Sequence, residues 1–138
     1  MEDGLFYNVE FPSALEGLDD AIQCDVQALL SGDWIDADQV FYVRLCLEEA
    51  IVNAITHGNA QDPSQQVQIK MYSENQGAFF RICVYDEGKG YCPEFLPAPR
   101  PYQPEGRGVC IMRHCMDEVH YDVDAGCLTM RIQRKGLC

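Results

Sequence analysis

Hydrophobic positions along the chain recur with two different periods, and the change of period separates predicted helices from predicted strands. Between residues 36 and 59 the apolar positions are three and four apart, which predicts an amphipathic helix; they are Val40, Val43, Leu47, Ala50, Ile51 and Ala54. Over residues 67–71 and 128–132 apolar and polar residues alternate instead. This alternation predicts strands with one buried face.

Capping residues predict where two helices begin and end. Ser13 and Glu16 have the S-x-x-E spacing of a capping box, so a first helix is predicted over residues 13–30. Gly32 is predicted to end it, and Asp36 to cap the second helix.

Turn residues predict how the strands pair. The Asn-Gln-Gly sequence at residues 75–77 predicts that residues 78–85 return antiparallel to the strand before them. The remaining predicted elements are strands over residues 5–11 and 119–123 and a helix over residues 106–115. The resulting order predicts an α+β two-layer sandwich, a mixed, mostly antiparallel sheet with helices on one face.

Length, composition and charge bound the class of protein. A chain of 138 residues with 47% hydrophobic residues is predicted to form one domain over residues 1–138. The formal net charge of -12 opposes binding to a phosphate backbone, because no basic patch is available to displace counterions. Nucleic acid is therefore not an expected direct partner.

The eight cysteines predict reduced thiols. They form no CxxC pair and have no zinc-like spacing. The sequence contains no signal-peptide pattern and no apolar run of the ~20 residues that a membrane-spanning helix needs. These features favour a cytoplasmic protein.

The segment at residues 45–59, LCLEEAIVNAITHGN, contains the most specific candidate chemistry. At ~3.6 residues per turn, Glu49 and Asn53 stack on one helix face, and His57 is predicted one turn further along. Such a stripe can hold a hydrated cation beside a proton acceptor. Glu48 is the competing carboxylate, but it lies about 100° around the helix. The alternative is a core helix whose carboxylates face water.

Two glycine-bearing loops follow this helix along the chain. Asp86 ends an apolar strand and precedes Gly88 and Gly90, so its carboxylate could accept a hydrogen bond from an exocyclic amine. Gly106 and Gly108 open a predicted helix, where backbone amides attract phosphate. Each loop also has an ordinary interpretation, as an aspartate turn and as a glycine-rich helix entry.

Together and in this order, the three segments resemble the N, G1 and G2 boxes of the Bergerat-fold (GHKL) ATPases. Residues 106–121, GRGVCIMRHCMDEVHY, resemble a segment of the anti-sigma-factor serine kinase branch of that superfamily. The resemblance extends over nearly the whole chain from residue 11 onward.

The resemblance implies ATP and Mg²⁺ as cofactors and assigns a role to several residues. Glu49 would polarise the attacking nucleophile, Asn53 would bind Mg²⁺, and Asp86 would read the adenine amino group. His57 would lie near the pocket. The proline-rich residues 91–105 would form a lid over the triphosphate, and the glycines of both loops would let the chain approach the nucleotide closely.

The sequence departs from the family pattern at three places. The lid arginine that touches the terminal phosphate has two candidates, Arg100 and Arg107. Cys127 replaces the threonine that commonly lies near adenine, which leaves Thr129 as a substitute. The first helix lacks the arginine that contacts partners in the best-known members, which leaves the identity of the partner open.

The function implied is an ATP-dependent serine/threonine kinase that phosphorylates a STAS-type anti-anti-sigma protein and sequesters a sigma factor in the other state. The alternative is a non-catalytic, nucleotide-gated binding module. A histidine kinase is not favoured, since no dimerisation helix with a phosphoacceptor histidine precedes the domain. Family members are commonly dimeric, so a homodimer is compatible with the resemblance.

Overall fold

Five strands and two α-helices make up the described part of the chain. The computed structural model describes residues 3–58, 62, 64–87, 117–122 and 126–134. The elements are β1 (Gly4–Pro12), α1 (Leu18–Ser31), α2 (Val40–Asn53), a π-turn (Ala54–Gly58), β2 (Gln66–Glu74), β3 (Phe79–Tyr85), β4 (Glu118–Asp122) and β5 (Cys127–Gln133). The helix predicted over residues 106–115 lies outside them. None of the helices in these ranges has the length and apolar character needed to cross a membrane.

The strands form one sheet in the order β1-β2-β3-β5-β4, and every described pairing is antiparallel. The β2–β3 hairpin closes through Asn75, Gln76 and Gly77, whose φ values of 51°, 58° and 85° are all positive. Asparagine and glycine tolerate this left-handed backbone, so the turn forms where the sequence predicted it.

One hydrophobic core lies between the helices and one face of the sheet. Along β2, buried Val67, Ile69 and Met71 alternate with partly exposed polar residues. These side chains belong to one cluster with residues of both helices, which include Ile22, Val26, Leu29, Leu47 and Ile51. Each fully buried Leu or Ile contributes roughly 1.5–3 kcal/mol. The predicted α+β sandwich is confirmed.

The predicted start of the first helix is wrong. Helix α1 begins at Leu18, and Gly17 at its N-cap has a φ of 82° with no side-chain capping bond. The amide of Ser13 instead donates to the carbonyl of Gln65 at 3.0 Å, which extends the β1–β2 pairing by one residue. Ser13 is therefore buried at the end of a strand. The predicted end at Gly32 is correct, because Gly32 is the C-cap.

Asp36 makes the predicted capping hydrogen bonds, but the α-helix begins four residues later, at Val40 with Gln39 as its N-cap, and it also ends differently. Oδ1 of Asp36 accepts hydrogen bonds from the amides of Asp38 and Gln39, and Oε1 of Gln39 accepts one from the amide of Asp36. This reciprocal arrangement is a capping box, followed by α-helical geometry from Val40. The α-helix stops at Asn53, where a π-turn replaces the predicted continuation.

Candidate functional site

Helix α2 presents the two carboxylates of the candidate site to different surroundings. Glu48 is exposed, whereas Glu49 is partly buried. Asn53, one turn after Glu49, is only 7% exposed. The helix therefore turns Glu49 and Asn53 inward and leaves Glu48 in solvent, as their spacing predicted.

The environment of Glu49 favours its protonated form. Burial is the largest cause of the raised pKa of its carboxyl, and the negative charge of neighbouring Glu48 adds to it. A carboxylate with a raised pKa is a better proton acceptor than an ordinary surface glutamate. The position can therefore take a proton from a bound hydroxyl group.

A π-turn directly follows Asn53. Residues Ala54–Gly58 close hydrogen bonds from i to i+5, a geometry that is rare in proteins and concentrated at functional sites. The backbone between Asn53 and His57 is therefore wider than the α-helix predicted there. The described structure of His57 is its backbone within this turn, and the contact of its side chain with a nucleotide stays a prediction.

Asp86 is held at the end of β3 by two neighbouring strands. Its amide donates to the carbonyl of Gly126 at 2.8 Å, and its Oδ2 accepts a hydrogen bond from the hydroxyl of Tyr121 at 2.7 Å. The residue is 8% exposed. A carboxylate fixed in this way can accept a further hydrogen bond at a defined position.

Gly126 allows the chain to pass close to Asp86. Its φ is 62°, and a Cβ atom at this position would lie 2.9 Å from the carbonyl oxygen of Asp86 and 3.3 Å from its Oδ1. A side chain would therefore crowd both the backbone and the carboxylate. Glycine at this position therefore avoids a clash with the carboxylate.

The hydrophobic core connects the two parts of the candidate site. Val84, two residues before Asp86, packs in the same cluster as Ile51 of α2 and Ile55 of the π-turn. The end of β3 that carries Asp86 and the end of α2 that carries Asn53 thus border one hydrophobic core.

Thr129 lies among thiols. Its hydroxyl is 3.8 Å from Sγ of Cys83 and 3.6 Å from Sγ of Cys127. Both cysteines are 5% exposed, yet neither belongs to the core cluster that contains their neighbour Leu128. Strand alternation therefore assigns the three side chains to the sheet face away from the helices. The contact of Thr129 with a nucleotide stays a prediction.

The two thiols differ in acidity. A hydrogen bond from Cys127 is the largest cause that lowers the pKa of Cys83, to about 7, whereas the same bond and burial raise the pKa of Cys127. No disulfide joins the cysteines in the described ranges, which are Cys24, Cys46, Cys83 and Cys127.

The remaining predicted site residues lie outside the described part of the chain; they are Gly88, Gly90, Arg100, Gly106, Arg107, Gly108 and the predicted lid over residues 91–105. Sequence reasoning missed two residues that contact Asp86. It assigned Tyr121 only to a strand and gave Gly126 no role at the site. Tyr121 is the last residue of the segment 106–121 that carries the family resemblance, but no sequence pattern indicated its hydrogen bond.

Comparison with known proteins identifies the family. A family model described as a histidine kinase-like ATPase domain matches residues 11–132, so the chain belongs to this family. The family membership predicted from the helix segment at residues 45–59 and the two glycine-bearing loops is thereby confirmed.

Three individual proteins that resemble this chain share one name. The chain is 32% identical to a protein named anti-sigma F factor from Geobacillus stearothermophilus over 108 residues, which cover 73% of this chain and 72% of the relative. Proteins of the same name are 33% identical over 90 residues in Anoxybacillus flavithermus and 35% over 89 in Geobacillus kaustophilus. The chain spans 60% and 59% of these two relatives, and the alignments cover the same shares of the chain.

Proposed function

We propose that this protein is an ATP-dependent anti-sigma factor kinase. It phosphorylates a serine or threonine of a STAS-type anti-anti-sigma partner and, in its other state, sequesters a sigma factor. The observation that carries the proposal is the inward-facing pair on α2, where partly buried Glu49 lies one turn before buried Asn53. Family membership and similarity to proteins named anti-sigma F factor support it.

In this proposal the oxygen of the substrate hydroxyl attacks the γ-phosphorus of ATP, and Glu49 accepts the proton of that hydroxyl. The bond from that phosphorus to the bridging oxygen breaks, and ADP leaves with the electron pair. Phosphoryl transfer of this kind depends mainly on positioning and charge neutralisation. The raised pKa of Glu49 suits it to accept the proton.

The described residues fit a magnesium ion that is held mainly by the nucleotide. No group of three or more His, Cys, Asp or Glu side chains in the described ranges could hold a metal ion. Mg²⁺ keeps several waters and binds few protein oxygens, so the amide oxygen of Asn53 together with phosphate oxygens would suffice. When bound, the ion supplies charge neutralisation at the phosphates.

Asp86 selects adenine in the proposed site, since a carboxylate accepts a hydrogen bond from the 6-amino group. His57, Gly88 and Gly90 contribute to nucleotide binding, whereas the side chain of Thr129 lies on the sheet face away from the helices and is not included. The phosphate-binding residues proposed beyond the described ranges are Gly106, Arg107 and Gly108, with Arg100 in a lid over residues 91–105. We also propose that the protein is located in the cytoplasm and forms a homodimer, as members of the family commonly do.

The first test is phosphotransfer by the Glu49→Gln variant. The partner is captured from native lysate in the presence and absence of ATP, purified, and incubated with labelled Mg·ATP. We expect transfer to fall by roughly 10²- to 10⁴-fold, because the amide cannot accept the proton. The matched control is Glu48→Gln, which removes a neighbouring exposed carboxylate and should transfer label at nearly the wild-type rate.

Two results would contradict the proposal in different ways. An undiminished rate in Glu49→Gln would show that Glu49 is not the base. A wild-type protein that binds the partner in an ATP-dependent way, yet adds no phosphoryl mass to it, would be the nucleotide-gated binding module instead.

A further inference from the structure

Tyr121 reaches Asp86 from the edge strand of the sheet. Its ring packs against the hydrophobic core, and its main chain pairs with Leu128 of β5. From this anchored position its hydroxyl donates to Oδ2 of Asp86 at 2.7 Å. This distance is typical of a well-formed hydrogen bond from a hydroxyl to an oxygen acceptor.

Two hydrogen bonds within the described part of the chain constrain Asp86. The hydrogen bond between its amide and the Gly126 carbonyl fixes its backbone, and the Tyr121 hydroxyl fixes one carboxylate oxygen. Rotation about the bond to the carboxylate is otherwise broad for aspartate. The Tyr121 hydrogen bond restricts this rotation and directs the second oxygen, Oδ1, to the side where Gly126 lacks a Cβ.

We propose that Tyr121 is a positioning residue for base selection, and that its hydrogen bond orients Asp86 so that Oδ1 meets the 6-amino group of an adenine nucleotide. The proposal rests on the proposed function, because it assigns Asp86 to adenine. It adds that a residue outside the three nucleotide-binding boxes sets the preference for an amino-substituted purine. Tyr121 acts through Asp86 and contacts no reacting atom.

The test compares binding of two nucleotides that differ only at the purine 6-position. Dissociation constants are measured by calorimetry for Mg·ATP and for Mg·purine riboside triphosphate, which lacks the amino group. Wild type should prefer ATP by about 10- to 100-fold, since a hydrogen bond to a charged group is at stake. In Tyr121→Phe the preference should fall to within a few-fold, while the affinity for the analogue stays at its wild-type value.

The matched control is Tyr85→Phe. Tyr85 lies one residue before Asp86, and strand alternation points it to the sheet face away from the helices. This variant loses a hydroxyl near the same strand end and should keep the full preference. The unchanged affinity of Tyr121→Phe for the analogue also shows that the variant has folded.

Failure of this inference and failure of the proposed function give different results. Full discrimination in Tyr121→Phe, or an equal loss of affinity for both nucleotides, would overturn the positioning role while ATP binding by wild type still stands. Wild-type protein that binds neither triphosphate would overturn the proposed function and this inference with it.

Discussion

At the scale of single residues, the buried carboxyl of Asp25 affects how the free energy of unfolding depends on pH. Asp25 is not part of the candidate site. It lies fully buried in α1, and its Oδ1 accepts a hydrogen bond from the hydroxyl of Tyr7 at 2.8 Å. Its Oδ2 has no hydrogen-bond partner among the described residues. Burial raises the pKa of Asp25 to about 7 from its ordinary value of 3.8, although the Tyr7 hydrogen bond opposes the shift.

Because the pKa of Asp25 is raised in the folded state, we expect the free energy of unfolding to fall as pH rises. The folded state keeps the proton up to about pH 7, whereas the unfolded state releases it near 3.8, so the folded state binds more protons between these values. The stabilisation is complete below pH 3.8 and is lost as pH rises through 7. At ~1.4 kcal/mol for each pKa unit, the loss is a few kcal/mol.

Replacing Asp25 by Asn tests this dependence. Because the amide does not titrate, the free energy of unfolding in Asp25→Asn should change less between pH 5 and pH 8 than in wild type, as measured by urea titration. Asp20→Asn on the exposed side of the same helix is the control and should keep the wild-type slope. Equal slopes in all three proteins would refute the assignment.

Candidate-site residues differ in how far the sequence could predict them. Helical periodicity alone was sufficient to predict that Glu49 and Glu48 face different directions, because successive residues are about 100° apart around a helix. The hydroxyl of Tyr121 could not be located in this way. Its contact with Asp86 joins residues 35 positions apart, and the pairing of β5 with both β3 and β4 brings them together.

At the scale of elements, local signals predicted strands and caps well where no distant contact competed with them. Asp36 formed its capping box because both partners lie within four residues. Ser13 had the same local pattern but failed, since pairing with Gln65 extended the strand instead. The π-turn was also missed, because apolar spacing does not distinguish it from one further α-helical turn.

The cap at Asp36 gives a test of α2. Asp36→Ala removes the acceptor of two amide hydrogen bonds at the start of the helix that carries Glu49, so we expect the free energy of unfolding to fall by about 1 kcal/mol. Asp36→Asn retains an acceptor and should be nearly neutral. Asp38→Ala controls for loss of a nearby charge. The cap has no measurable role if Asp36→Ala and Asp38→Ala unfold at the same urea concentration.

At the scale of the whole molecule, several of the few cations are committed to local contacts. Glu74 pairs with both Arg81 and Arg131, at 2.8 and 2.9 Å. Arg134 stacks over Trp34 at 4.5 Å and donates to the carbonyl of Gly32 at 3.1 Å, which joins the end of β5 to the end of α1. Carboxylates also far outnumber cations in the chain, so the net charge of -12 is expected to produce repulsion among them.

This charge predicts stabilisation by salt. Raising NaCl from about 10 to about 150 mM shortens the Debye length from about 30 to about 8 Å and screens the repulsion. We expect the thermal midpoint to rise by roughly 2–5 °C, measured by circular dichroism. The triple variant Glu10→Gln, Glu16→Gln, Asp33→Asn, which neutralises three exposed carboxylates, should show a smaller rise. A midpoint that falls with salt would mean that local ion pairs dominate.

The π-turn after Asn53 also has a consequence for alignments. A ring closed from i to i+5 contains one residue more than the i to i+4 ring of an α-helix. In an alignment with a homologue whose helix is regular throughout, the homologue's sequence needs a one-residue gap opposite Ala54–Gly58. Without this gap, the equivalences assigned from the turn onward, that of His57 included, would be shifted by one position.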